Sequence, residues 1–135
     1  MSQARKQLKI VSFVQVACTL LAVVTGIVCV VSASGSQTSI LGMEPVTSVM
    51  LLGVLCIAAG IAAFLAAAQG IKGANVPSRL GPHAQTCAAS LLLSAVAAVL
   101  AGVGGEAIAV VPCLVLVADV VAITRGSAVR KELDR

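Results

Sequence analysis

Four times along this chain a long uncharged apolar run is broken by a short polar segment. The runs extend from about Ile10 to Val31, Val46 to Ala68, Ala84 to Val103 and Ala107 to Thr124. A helix needs about 20 apolar residues to cross the hydrocarbon of a bilayer, so all four lengths suit a crossing. Many of these residues are Val, which favours strands in water. In lipid the backbone must satisfy its own hydrogen bonds, and unbroken apolar runs of this length leave only the helix. Barrel strands would alternate polar and apolar positions, and these runs do not. The pattern therefore predicts an all-α polytopic membrane protein, a compact antiparallel four-helix transmembrane bundle, with residues 1–135 forming a single transmembrane domain.

Composition agrees. Apolar residues make up 59% of the chain and charged residues 10%, where a soluble domain carries about 25% charged residues to wet its surface. Phe13 and Phe64 are the only aromatic residues, with no Trp or Tyr. The aromatic belts of many membrane proteins are missing, and anchoring falls to Lys and Arg. The same inventory offers no platform for base stacking, so the net charge of +4 does not predict nucleic-acid binding.

The charge is a topology signal instead. Arg5, Lys6 and Lys9 precede the first run, Lys72 and Arg79 separate the second from the third, and Arg125, Arg130, Lys131 and Arg135 follow the fourth. All nine basic residues thus fall on one side of a four-span arrangement. The positive-inside rule makes that side, with both termini, cytoplasmic. A cell membrane, specifically a bacterial cytoplasmic membrane, is the expected location. The first run also resembles a secretory signal peptide, with a basic start and Val31-Ser32-Ala33 as a cleavage pattern. Its length favours a retained span, since signal cores run about 7–15 residues.

The connections differ in kind. The segment after the first span, SASGSQTSILG, is Ser/Gly-rich and reads as a flexible loop. Val103-Gly104-Gly105 is so short that the third and fourth spans must form a tight hairpin. In the basic connection, Pro77 and Pro82 are expected to limit helix, and His83 beside Pro82 reads as an interfacial residue. Glu44, before Pro45, and Glu106, after two glycines, are expected to face the N-termini of the second and fourth helices. The alternative is a cation-collecting pair at an outer mouth. A faint repeat pairs Gln15 and Cys18 with Gln85 and Cys87, Glu44 with Glu106, and Cys56 with Cys113, as a duplicated hairpin would.

Small residues predict how the helices meet. Gln15, Cys18, Ala22, Thr25, Cys29 and Ser32 recur at spacings of three and four on the first span. Ser90, Ser94, Ala98 and Gly102 recur every fourth residue on the third. Ala59, Ala63 and Ala67 do so on the second, with Gly53 and Gly60 nearby. Such ladders let backbones approach closely, which is how bundles associate without a hydrophobic drive between helices. Little internal volume for a large substrate is expected.

Candidate chemistry is sparse. Five cysteines, Cys18, Cys29, Cys56, Cys87 and Cys113, fall in or at the edges of spans. With one histidine and no C-x-x-C, neither a metal site, a cofactor site nor a disulfide is expected. No nucleophile–base set appears, and no catalytic residue is assigned. Asp119 stands apart as the one acid inside a span. Intramembrane acids face a bundle interior or watery cavity and often mark ion or proton paths. Asp119 lies six residues before Arg125, which is the other partner within its reach. Gln15 lies five residues inside Ile10. At 1.5 Å per residue both sit roughly 7–9 Å below the same face, and Ser90 shares that level. Asp119, Gln15 and Ser90 are therefore expected to form a polar layer. Pro112, two turns before Asp119, is expected to kink the fourth helix.

With its basic inner segment GIKGANVPSRLGP between the second and third spans, the layout resembles small bacterial four-span membrane proteins that carry no assigned activity. Small multidrug transporters share the size, but their essential first-span acid corresponds here to Gln15, and their aromatics are absent. The leading expectation is a non-catalytic structural, accessory or partner-binding component embedded in the lipid bilayer, as a homo-oligomer or with a membrane protein partner. The second is a small oligomeric transporter or ion or proton pathway using Asp119.

Overall fold

The computed structural model describes residues 2–76, 78, 80–105 and 109–133. Helix α1 spans Gln3–Ser32, α2 Pro45–Asn75, α3 Leu80–Val103 and α4 Val110–Leu133. Each is long and apolar enough to cross a membrane. They form an all-α antiparallel bundle in which α1 packs on α2 and α4, α3 packs on the same two, and α2 touches α4 across the diagonal. The basic segments therefore gather at one end of the bundle. The expected positions of Pro77, Arg79 and Glu106 lie outside the described residues.

The helices run past the apolar segments at the basic end. Hydropathy measures what lies in hydrocarbon, whereas a helix continues wherever its backbone bonds and packing allow. Ser2 caps α1 by accepting from the Arg5 amide at 3.3 Å. Ala4 and Leu8 of α1 then bury against Ala74, Leu80 and Val129. Pro82 does not limit α3, which begins at Leu80; it falls in the first turn, where a missing N–H costs no helical bond. Pro112 sits likewise in the first turn of α4 as described. The residue four before it, whose carbonyl the expected kink would free, lies outside the described residues.

At the opposite end Pro45 occupies the first turn of α2, but Glu44 makes no side-chain cap. Its carbonyl accepts from the Ser48 amide and the Ser48 hydroxyl, both at 2.9 Å, and its carboxylate stays exposed. The Ser/Gly-rich connection is more ordered than its composition implies. Ala33, in a short 3-10 turn over Ala33–Gly35, and Ile40 are both buried. The Ile40 amide donates to Ser48 Oγ at 3.0 Å. A turn with positive φ at Leu41 and Gly42 brings the Met43 amide to the Ile40 carbonyl at 3.0 Å. Ile40 thus plugs the end of the bundle beside Gly104.

Glycine and alanine decide how closely α1 and α2 meet. A Cβ on Gly26 would lie 2.7 Å from the Gly53 carbonyl oxygen, and one on Gly53 would lie 2.8 Å from that of Gly26. The α2 ladder of Ala59, Ala63 and Ala67 is buried as spaced, with Gly53 and Gly60. The other two ladders shift. On α1 the buried stripe is Ser12, Gln15, Thr19, Ala22, Gly26 and Cys29. Cys18 and Thr25 are half-buried and Ser32 is exposed. Thr25 and Ser32 satisfy their hydroxyls on their own helix, donating to the Leu21 carbonyl at 2.8 Å and the Val28 carbonyl at 2.7 Å. On α3 Ser90 and Ser94 are buried, but Ala97 and Ala101 replace Ala98 and Gly102. A strict four-residue step drifts around a helix of 3.6 residues per turn, and the alternating three–four step does not.

Candidate functional site

Polar side chains are concentrated in the basic half of the bundle interior. Gln15 of α1, Ser90 of α3 and Asp119 of α4 are each 0% exposed. The structure brings these three together: Gln15 Nε2 donates to Asp119 Oδ1 at 2.8 Å, and Ser90 Oγ donates to Asp119 Oδ2 at 2.6 Å. Ser90 Oγ also lies 3.3 Å from the Ala59 carbonyl oxygen of α2. One hydroxyl has one proton, so Ser90 can serve Ala59 only when Asp119 carries a proton of its own and donates it to Ser90. Proton occupancy at Asp119 and the direction of the Ser90 hydroxyl are thereby coupled. Arg125 does not reach Asp119; it donates to Gln7 Oε1 at 2.9 Å on the outside of the bundle.

The layer extends to His83, one of two members that sequence spacing missed. His83 is 1% exposed, enclosed among the helices, and its Nδ1 lies 2.8 Å from the Ala66 carbonyl oxygen of α2. A carbonyl only accepts, so Nδ1 carries a proton. The ring stands in a slot between two helices. A Cβ on Gly70 of α2 would lie 2.9 Å from Cε1, and one on Gly126 of α4 would lie 3.2 Å from Cδ2. Cys87, the other missed member, links the ring to the carboxyl. Its Sγ accepts from Gln15 Nε2 at 3.8 Å and lies 3.8 Å from both ring nitrogens of His83. Among the described residues, no group of three or more His, Cys, Asp or Glu could hold a metal ion.

Apolar layers close the polar region on both sides. Toward the basic end stand Ala4, Leu8, Ala74, Leu80 and Val129; toward the opposite end stand Ala22, Ala63 and Val115, then Leu52, Cys56, Ala97 and Ala101. Within it Ser12 Oγ, Gln15 Oε1, Thr19 Oγ1 and Ser94 Oγ are buried and have no hydrogen-bond partner among the described residues. A cavity of about 40 Å³ lined by Leu80, His83, Gly126, Ser127 and Arg130 adjoins the imidazole at the basic end.

Comparison of the chain with known protein families, with characterised proteins and with solved structures finds no match. Function must be argued from the geometry alone.

The paired positions of the faint repeat do not share environments, since Gln15 is buried and Gln85 exposed. Gln15 instead meets Cys87, the second member of the other pair. No disulfide joins any of the five cysteines; Cys29, Cys56 and Cys87 are buried, Cys18 half-buried and Cys113 exposed. A signal for Ser12 and Thr19 was present: continuing the three–four step from Leu8 gives Ser12, Gln15, Thr19 and Ala22 in turn. Cys87 and His83 follow from the same step run backwards from Ser90.

Proposed function

We propose that this chain is a non-catalytic component of a cell membrane, a helical scaffold that associates with another membrane protein or with further copies of itself. What supports the reading is the enclosure of Asp119. Its two oxygens are taken by uncharged groups from two other helices, and apolar layers lie on either side of it. Groups used this way join helices; they do not present chemistry to a substrate. The segregation of basic residues supports termini on the cytoplasmic side, and the resemblance to small four-span proteins favours a bacterial cytoplasmic membrane. Crosslinking in native membranes, followed by purification through a terminal tag, tests this reading. A defined partner or a discrete oligomer supports it, and a chain that stays monomeric and uncrosslinked overturns it.

A second reading, a proton pathway, has its own observation. Asp119 is an intramembrane carboxyl whose recorded hydrogen-bond partners carry no cation, coupled to a hydroxyl that can reverse direction. Purified protein in liposomes with an imposed proton gradient separates the readings. Discharge that Asp119→Asn abolishes selects the pathway, and gradients that persist with the native chain select the scaffold.

A further inference from the structure

We propose that the outer groove between α1 and α4 is a binding site for one anionic phospholipid of the leaflet at the basic end. Two stripes line it. Val11, Val14 and Cys18 come from α1; Leu114, Val117, Ala118 and Val121 come from α4, and together they bound about 330 Å³. Continued one turn toward the basic end, the α1 stripe reaches Gln7 and the α4 stripe reaches Arg125. These two residues meet at the head of the groove, where Arg125 Nη1 donates to Gln7 Oε1 at 2.9 Å.

Length and charge identify the occupant. From Gln7 to Cys18, and from Arg125 to Leu114, the chain advances 11 residues along each helix. At 1.5 Å per residue the groove is about 16 Å long. That equals one leaflet's share of a hydrocarbon core about 30 Å thick. An acyl chain inserted from the basic end fills it without crossing the midplane. The lining is apolar throughout, as a hydrocarbon chain requires. At its head a guanidinium has five N–H donors in a fixed fork, of which one is used on Gln7. The remaining donors have no protein acceptor among the described residues and suit the phosphate oxygens of a lipid. Gln7 holds the arginine at the groove instead of leaving it to sweep the interface. Arg130 and Lys131 in the last turn of α4 outnumber Glu132, so this end of the helix is net positive. A zwitterionic lipid has the same tail but adds a cation beside Arg125, so the site discriminates by headgroup charge.

The chain contains no Trp, so a single introduced Trp reports on its own surroundings without background. Val14→Trp places the probe in the groove, and Leu92→Trp places it on the lipid-facing side of α3, where Leu92 is 66% exposed. Each variant is reconstituted in vesicles containing brominated phosphatidylglycerol or brominated phosphatidylcholine, and quenching gives relative binding. The expected preference for the anionic lipid at Val14→Trp is about fivefold over that at Leu92→Trp, the equivalent of about 1 kcal/mol for one cation near an anionic surface. Arg125→Gln in the Val14→Trp background removes it. Gln7→Ala, which frees Arg125 without deleting its charge, weakens it. Equal preference at both probes, or a preference at the groove that survives Arg125→Gln, overturns the site and leaves ordinary annular lipid. Val11→Trp, in the same groove, repeats the test should Val14→Trp fail to assemble.

Discussion

Gln15 and Asp119 are 104 residues apart in the chain, yet the amide of one donates to the carboxyl of the other at 2.8 Å inside the bundle. The bond closes a ring of helices. Gln15 belongs to α1 and Asp119 to α4, Ser90 brings in α3, and the Ala59 carbonyl brings in α2. Apolar surface is cheap to expose in lipid, so packing alone sets helix order weakly, and a directional polar contact sets it more sharply.

Replacing Asp119 separates shape from hydrogen bonding. In Asp119→Asn the side-chain carbonyl still accepts from Gln15, while the new amide donates to Ser90 and frees its proton for Ala59. A loss of about 1 kcal/mol or less is expected in unfolding from mixed micelles, since interhelical bonds in lipid average about 0.6 kcal/mol. Asp119→Leu leaves the Gln15 amide without its oxygen acceptor and Ser90 with only the longer 3.3 Å contact to the Ala59 carbonyl, and a larger loss of about 1–3 kcal/mol is expected. Equal stability of the two variants would mean that the polar contacts do not hold the helices together.

At the Gly26–Gly53 crossing backbone meets backbone, and neither side can yield. Gly26→Ala and Gly53→Ala are each expected to cost about 1–3 kcal/mol, in the range of overpacking. Because both enlarge one contact, the double variant should lose less than the sum of the single losses. Gly102→Ala is the control: a Cβ there meets nothing within 4 Å, and no loss is expected.

How much of this was legible in the sequence follows from which forces are periodic. The four helices and their antiparallel order were legible, because insertion in lipid reads long uncharged runs and because loop charge orders their ends. The level shared by Gln15, Ser90 and Asp119 was legible too, since depth is rise per residue counted from the charged ends. Rotation about each helix was less so. Cys18 and Thr25 look as suited to a packing face as Ser12 and Thr19, and only the direction of neighbouring helices decides between them. The surroundings of His83 were hidden for a similar reason. Its sequence neighbour Pro82 signals an interface, but the slot that buries the ring is made by Gly70 and Gly126 on two other helices. Glycine records nothing of what approaches it.

Orientation is tested by labelling. In a background with all cysteines replaced, a cysteine at Gln37 should react with an impermeant thiol reagent applied to intact cells, and one at Ser78 should react only after permeabilisation. Both positions are exposed, so burial does not confuse the readout. Labelling of Ser78→Cys from outside would reverse the assigned orientation.

The cysteine-free background should itself assemble. None of the five cysteines is in a disulfide, so reduction should leave electrophoretic mobility unchanged, and Cys18→Ala and Cys113→Ala should be nearly neutral. Cys56→Ala and Cys87→Ala each open space in a packed interior and should cost about 1 kcal/mol, comparable to deleting one buried methyl. A reduction-sensitive mobility that disappears in one double variant would reveal a disulfide instead.

The slot around His83 gives the most graded prediction. At Gly70 an added Cβ would collide with Ser12 Oγ and lie 2.9 Å from the imidazole Cε1; at Gly126 it would lie no closer than 3.2 Å to the ring. The ring cannot retreat freely, because its Nδ1 is bonded to the Ala66 carbonyl at 2.8 Å. Gly70→Ala should therefore destabilise by about 1–3 kcal/mol and Gly126→Ala by less. Ser12→Ala in the Gly70→Ala background removes one of the two collisions and should restore part of the loss. His83→Ala in that background relieves the other collision, at the cost of an emptied slot and an Ala66 carbonyl without its imidazole partner. The measurement is unfolding in mixed micelles, read by helicity. If Gly126→Ala costs more than Gly70→Ala, or if Ser12→Ala restores nothing, the imidazole is not held between these two glycines.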